Sequence, residues 1–510
     1  MSRKSIIFLT IGVYVLFIFT VGLISRKRAK SITDFTVAGR NAGAWLSAFS
    51  YGTAYFSAVM FIGYSGATGW KYGLWGILPG IGNAVLGSLL AWLVLAKRTR
   101  SVTKSLKIKS MPQLFEKCFG SKSMKNFCVA VIFIFLVPYS ASVYKGLTSV
   151  CSVILDVPEN VCMVIIALAA AVIVVLGGYA ATLKADFVQG FVMLAGVILL
   201  IISVLRCEQV GGAAAGLEAI AQKTEALSLT VFDHISLWAT VLMTSFGTWG
   251  LPQMIHKYYG IRDDKEVKRG TVISTVFAFV VAGGGYFIGS LSRLFYSDLA
   301  ELPAAGSGKT DYLIPNMLNT AGLSNVLIGV ILVLLIAASV STLSSITITA
   351  STTLSMDFII PHFFKDKDKV WDARLTKVFC LLFVVVSYFI ANSDTPILDM
   401  MSYSWGVISG SFLAPYLLSL YWKKLNRAGA WAGMLTGFFV ALPPMICRLF
   451  SLPVTLGSFG RLMDLGPHFA CLSAVLSLVM CVVVSKLVKS QQNGFAQIQN
   501  ASKTVSNETV

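Results

Sequence analysis

Residues 48–57 read Ala48-Phe49-Ser50-Tyr51-Gly52-Thr53-Ala54-Tyr55-Phe56-Ser57, and glycines follow at 63, 66 and 69. The stretch lies in an apolar run over 43–70, and a bilayer crossing takes about 20 mostly apolar residues. In hydrocarbon every backbone polar group needs an internal partner, so hydroxyls and glycine at mid-span are a departure that points to function. Two readings are open: the segment is unwound and its carbonyls face a cavity, or its small residues let helices pack closely. A second departure is Gly247-Thr248-Trp249-Gly250-Leu251-Pro252, inside a run over 235–257. There a proline and two glycines predict either a plain kink or a true interruption.

Outward from these stretches, apolar runs fill most of the chain. Thirteen are read, at roughly 5–25, 43–70, 73–96, 127–155, 160–183, 185–205, 235–257, 271–294, 323–357, 378–396, 398–422, 429–450 and 468–488. They explain the composition: 56% of the 510 residues are hydrophobic and 13% charged, with mean hydropathy +0.77, whereas soluble domains are about 25% charged. The first run is too long for a signal peptide, and Arg26-Lys27-Arg28 follows in place of a small-residue cleavage site, so a retained helix is expected. The intervening pieces, 97–126, 206–232, 295–322, 357–377 and 489–510, are each too short to fold as a catalytic domain. The expectation is one transmembrane domain over 1–490, no enzyme, and a polar cytoplasmic tail at 491–510.

The net charge of +18 is unevenly spread. With the N-terminus outside, the inner loops collect Arg26–Lys30, Lys97–Lys109, Lys257–Arg269, Lys365–Lys377 and Lys423–Arg427, and the outer side keeps few basic residues. The positive-inside rule then predicts N-out, C-in, in the plasma membrane. Because the charge is dispersed over loops, no nucleic-acid-binding face is expected. Asn500 and Asn507 match glycosylation sequons but fall on the cytoplasmic side, and Gly306-Ser307-Gly308-Lys309-Thr310 lacks the preceding glycine of a phosphate-binding loop. Nine scattered cysteines and four distant histidines suggest no zinc site.

The interrupted spans are the second and the seventh, five apart. Each opens a group of five, about 43–205 and 235–422, and five being odd, the groups cross in opposite senses. Interrupted helices at matching positions of inverted halves mark a transporter's central site; runs 5–25, 429–450 and 468–488 are then peripheral. The ninth run ends Ala337-Ala338-Ser339-Val340-Ser341-Thr342-Leu343-Ser344-Ser345, where Ser341, Ser344 and Ser345 share a helical face. Such hydroxyls back-bond to the preceding turn or, when this dense, supply neutral oxygens suited to a quickly released hard cation.

These motifs, with Gly39-Arg40, Gly177-Gly178-Tyr179 followed by Lys184-Ala185-Asp186-Phe187-Val188-Gln189, Ser404-Trp405-Gly406 and Asn426-Arg427-Ala428-Gly429-Ala430, make the chain resemble the sodium:solute symporter family from about residue 5 to 490. The bacterial proline branch is the one most readily aligned. The resemblance implies an all-α membrane protein of LeuT-like inverted five-plus-five repeats, working by alternating access without an obligatory oligomer. It implies a sodium site of Thr53, Phe56 and Ala338 carbonyls with Ser341 and Thr342 hydroxyls. A second sodium would use Ser341, Ser344, Ser345 and Asp186, although Asp186 has an alternative as an inner-end carboxylate paired with Lys184 or a neighbouring loop. One or two Na+ per cycle are thus implied, with a small solute, amino acid or carboxylate, as cargo.

Where the proline branch has an aspartate and two aromatics, this chain has Tyr55, Thr244 and Thr248, which puts proline itself in doubt. Candidate solute contacts are Tyr55, Ser57, Thr248, Trp249 and Trp405. Lys145, inside the fourth run, either attracts a solute carboxylate or snorkels outward. Rival classes are a transporter-like sensor, though only a short tail follows the last span, a passive channel, though no filter motif is present, and a proton-coupled symporter.

Overall fold

A computed structural model of the chain describes residues 3–26, 40–303, 308–364 and 369–488. Gly39, the basic residues at 27–30, Gly306, Ser307, Lys365, Lys367 and the tail with Asn500 and Asn507 lie outside the described residues. Those described are helical throughout, with two isolated bridges and no strand. The helices that matter for function are α1 (Arg3–Arg26), α2 (Ala44–Tyr55), α3 (Ser65–Tyr72), α4 (Lys122–Leu155), α5 (Glu159–Leu205), α6 (Val231–Gly250), α7 (Pro252–Tyr259), α8 (Gly284–Leu291), α9 (Asn325–Thr352), α10 (Lys369–Ala391), α11 (Ile397–Tyr421), α12 (Arg427–Ala441) and α13 (Gly466–Leu487). Among the described residues, eight helices are long and apolar enough to cross a membrane.

Both suspect spans are interrupted. α2 stops at Tyr55; Phe56 takes an extended backbone (φ −103°, ψ 112°), and the helix resumes through a π-turn over Val59–Tyr64 into α3. α6 stops at Gly250; Leu251 is extended (φ −77°, ψ 121°), and α7 begins with Pro252 at its first turn. Steric rules favour the second break, because proline disfavours the α region for the residue before it and its missing N–H is harmless at a helix start, although Pro138 and Pro415 lie within the continuous helices α4 and α11.

The expected division at 183–185 is corrected by the structure. Runs 160–183 and 185–205 form the single helix α5, which at 1.5 Å per residue is about 70 Å long, against about 30 Å of hydrocarbon. The joint Ala180-Ala181-Thr182-Leu183-Lys184-Ala185 contains no proline or glycine, and most of its residues favour helix, so nothing local ends it. Helix also continues past the expected end of the third run, over Lys97–Ser105, and a further helix covers Met111–Phe119, capped by Ser110.

α9 is the axial element. Every residue from Ala337 to Ile348 is buried, so polar and apolar faces alike are covered, as expected of a helix inside a bundle rather than on its surface. It packs on α5, α1, α4 and α2. α3 crosses α8 at backbone contact: a Cβ on Gly69 would fall 2.0 Å from the Gly289 carbonyl oxygen, and one on Gly289 2.1 Å from that of Ser65. Glycine is required at both positions by this approach.

Candidate cation and solute site

Because α2 ends at Tyr55, the carbonyls of Thr53 and Ala54 are turned out of the helical ladder toward α9. Thr342 Oγ1 lies 3.1 Å from both Thr53 O and Ala338 O and 3.4 Å from Ala54 O, its one hydrogen shared among these carbonyls. Ser341 Oγ lies 2.9 Å from Thr53 Oγ1. Of the five residues expected at the first sodium site, Thr53, Ala338, Ser341 and Thr342 therefore converge through their oxygens, and Phe56 sits buried at the interruption. The set carries no formal charge, which suits a reversible monovalent cation rather than calcium.

A charged cluster adjoins it through Ser341. Ser341 Oγ donates to Asp186 Oδ1 at 2.6 Å and Ser50 Oγ to Asp186 Oδ2 at 2.5 Å. Lys257 Nζ reaches Asp186 Oδ2 at 3.2 Å, Ser50 Oγ at 2.8 Å and Ser345 Oγ at 3.0 Å. The side chains of Lys257 and Asp186 are 1% and 0% exposed. Ser344 is buried but takes no part in these bonds. Asp186 pairs with Lys257, one of the basic residues read as an inner-loop charge, rather than with neighbouring Lys184. Lys257 is also corrected as a loop charge: the interruption at Leu251 keeps α7 inside the bundle, where six of its eight residues besides Lys257 are buried. The other signature residue of that motif, Gln189, donates from Nε2 to Tyr14 Oη on α1 at 3.2 Å.

The solute candidates divide. Tyr55, Phe56, Tyr64, Asn83, Tyr286 and Trp405 are among the residues around a central cavity of about 10 Å³, roughly the room of one water. None of its lining residues is charged. Tyr55 Oη donates to Thr244 O at 2.7 Å, its ring stacks on Phe56 at 4.2 Å, and it faces Trp405 at 6.2 Å. Trp405 Nε1 is a buried donor with no hydrogen-bond partner among the described residues. Ser57, Thr248 and Trp249, by contrast, are committed to the main chain: Ser57 Oγ accepts from Val59 N at 3.2 Å, Thr248 Oγ1 donates to Ser245 O at 2.9 Å, and Trp249 Nε1 donates to Leu86 O at 3.1 Å.

Lys145 does not reach this cavity. Its Nζ donates to Ser393 O and Thr395 O at 3.0 and 2.8 Å and lines a separate cavity of about 280 Å³ with Asp311 and Asp394. Sequence reasoning passed over Asn83, Tyr64, Tyr286, Ser50 and Lys257. Ser50 lies in the polar stretch 48–57 already singled out, and Asn83, an amide within an apolar run, carried a signal of its own.

A sequence model of the sodium:solute symporter family matches residues 35–437. The chain is similar to the osmoregulated proline transporter OpuE of Bacillus subtilis, at 24% identity over 95% of each chain. It is similar also to the high-affinity proline transporter PutP of the same organism, at 28% identity over 82% of this chain and 87% of that one. Its fold is similar to that of a Na+-coupled sialic acid symporter in a substrate-bound outward-open state (TM-score 0.74, 16% identity, 95% of this chain and 98% of the other). A more distant likeness is Mhp1, a nucleobase-cation-symport-1 family transporter in a closed conformation (TM-score 0.54, 12% identity, 91% and 97%). The fold is thus that of the LeuT-like sodium symporters. Its all-helical architecture, its interrupted spans and the family match lead to one conclusion: the chain belongs to the sodium:solute symporter family, multi-pass membrane transporters rather than enzymes, which couple a small organic solute to sodium.

Proposed function

We propose that the protein accumulates a small zwitterionic or neutral organic solute, with one sodium held by Thr53, Phe56, Ala338, Ser341 and Thr342. The observation that carries this reading is the meeting of the freed Thr53 and Ala54 carbonyls with the Thr342 hydroxyl. A cation there would tie α2 to α9 and favour the conformation ready for solute, so coupling is a difference in affinity between two states. The solute would lie among Tyr55, Trp405 and their aromatic neighbours. An uncharged aromatic lining disfavours a net anion, which would lose its hydration without a counter-charge; this argues for an amino-acid-like zwitterion over a simple carboxylate. The proline relatives are consistent with that class, while Tyr55, Thr244 and Thr248 argue against proline itself. Because the cavity holds about 10 Å³, the aromatic side chains must part before the solute enters.

In this reading the repeats run over about 43–205 and 235–422 and one chain suffices; the loop charges place the N-terminus outside and the C-terminus inside, which requires two crossings within the length of α5. The driving force is the sodium gradient plus the potential, about 2.3 kcal/mol per charge per 100 mV. A thermal-shift screen of zwitterionic solutes in sodium would select the cargo, and uptake by proteoliposomes with and without an inward sodium gradient would test coupling. Accumulation that needs sodium is the expected result. Accumulation indifferent to sodium overturns the coupling, and no uptake of any stabilising solute overturns transport.

A further inference from the structure

Asp186, Ser50, Ser341 and Ser345 form, by their chemistry alone, a second cation cage: one carboxylate and three hydroxyls, buried, from α5, α2 and α9. A net charge of −1 calls for a single monovalent cation. That cation is on the chain. Lys257 Nζ stands 2.8–3.2 Å from Ser50, Ser345 and Asp186, at 1% side-chain exposure. We propose that the Lys257 ammonium permanently fills this cage in place of a second coupling ion, so that the protein binds one sodium per cycle.

Two features support the assignment. An ammonium and a sodium ion carry the same charge, so the cage is neutralised once, and a second cation at the same carboxylate would meet uncompensated repulsion in a low-dielectric interior. The tether also does what a free ion cannot: it comes from α7, the inner half of the interrupted seventh span, and joins it to α2, α5 and α9 whether or not sodium is present. The inference rests on the assignment of sodium to the Thr53–Thr342 site, and the test separates the two.

Binding of ²²Na⁺ alone is measured on the full chain in nanodiscs, for the wild type, Lys257→Ala, Lys257→Arg and Thr342→Ala. The expected result is one sodium per wild-type chain and one for Lys257→Arg, a twofold rise to two for Lys257→Ala, and weakened binding of the single sodium for Thr342→Ala. Two sodium ions on the wild type overturn the inference, as does one on a folded Lys257→Ala. If Lys257→Ala does not fold, the wild-type and Lys257→Arg counts decide: one supports, two overturns. No sodium on the wild type but one on Lys257→Ala overturns the Thr53–Thr342 assignment and upholds the role of Lys257; none on either overturns both.

Discussion

Removing the Thr342 hydroxyl probes the cation site with little collateral damage. Ser341 also serves Asp186, whereas Thr342 Oγ1 touches only main-chain oxygens: Thr53 and Ala338 at 3.1 Å, and Ala54 at 3.4 Å. The bond to Ala338 is ordinary back-bonding within a helix; the reach to Thr53 is what joins α9 to α2. Thr342→Ala deletes one of five neutral oxygens, a net loss of about 1–1.5 kcal/mol. With tenfold in affinity per 1.4 kcal/mol, the half-saturating sodium concentration rises about 5- to 12-fold. The same substitution costs the sodium-free protein one interhelical hydrogen bond, about 0.5–1.5 kcal/mol, too little to unfold a bundle of this size. Sodium-induced thermal stabilisation in detergent, with choline replacing sodium at constant ionic strength, reads the first quantity, and the melting temperature in choline reads the second. Thr342→Ser keeps the oxygen and should titrate like the wild type. A Thr342→Ala protein with unchanged half-saturation and a lowered melting temperature would make the hydroxyl structural and refute the placement of sodium beside it.

Trp405→Phe keeps the ring against Tyr55 and Tyr139 but removes the unpartnered indole N–H; solute half-saturation should rise about 2- to 10-fold with melting temperature unchanged, measured by solute-dependent thermal shift. Gly69→Ala places a Cβ 2.0 Å from a rigid backbone oxygen of α8; it should cost about 1–3 kcal/mol by this overpacking, visible as a lower midpoint in thermal unfolding. Asp264 lies outside the apolar part of its span, where partial burial raises its carboxyl but the Arg100 and Lys97 cations outweigh this and hold it below the usual carboxylate range. A depressed folded value stabilises above the unfolded value, about 4, and is lost as pH falls through the folded one. Asp264→Asn should therefore lower stability at neutral pH by less than about 1 kcal/mol, since the pair is largely solvent-screened, and the difference from wild type should vanish in acid and in high salt.

What could be read from the chain was set by residues whose effect is local. Pro252 disfavours a helical Leu251, and helical period puts Ser341 and Ser345 on one face of α9, where both reach the Asp186–Lys257 cluster; Thr342 entered only through the family resemblance. The position of the first interruption, after Tyr55, was legible only as a polar, glycine-containing stretch, because no single residue there forces it. Lys257 escaped because a lysine at the end of an apolar run has the same local signature whether it reaches headgroups or turns inward. Its partners Asp186 and Ser50 lie 71 and 207 residues away. The uninterrupted α5 was missed for the opposite reason: hydropathy registers that a lysine and an aspartate end a greasy run, but the backbone has no cause to stop there. The central cavity draws Tyr64, Asn83 and Tyr286 from three different segments, and only tertiary packing assembles them.

A hydroxyl has one hydrogen to give. At Ser341 the shorter, charge-assisted contact, 2.6 Å to Asp186, claims it, which leaves only lone pairs on the side facing Thr53. If sodium sits beside Thr342 as proposed, the carboxylate would polarise, from behind, an oxygen offered to the metal, while the lysine at its other edge would keep that carboxylate from capturing the metal itself. Proton geography at one serine would thereby let a fixed ion pair sharpen a neighbouring pocket that carries no charge of its own.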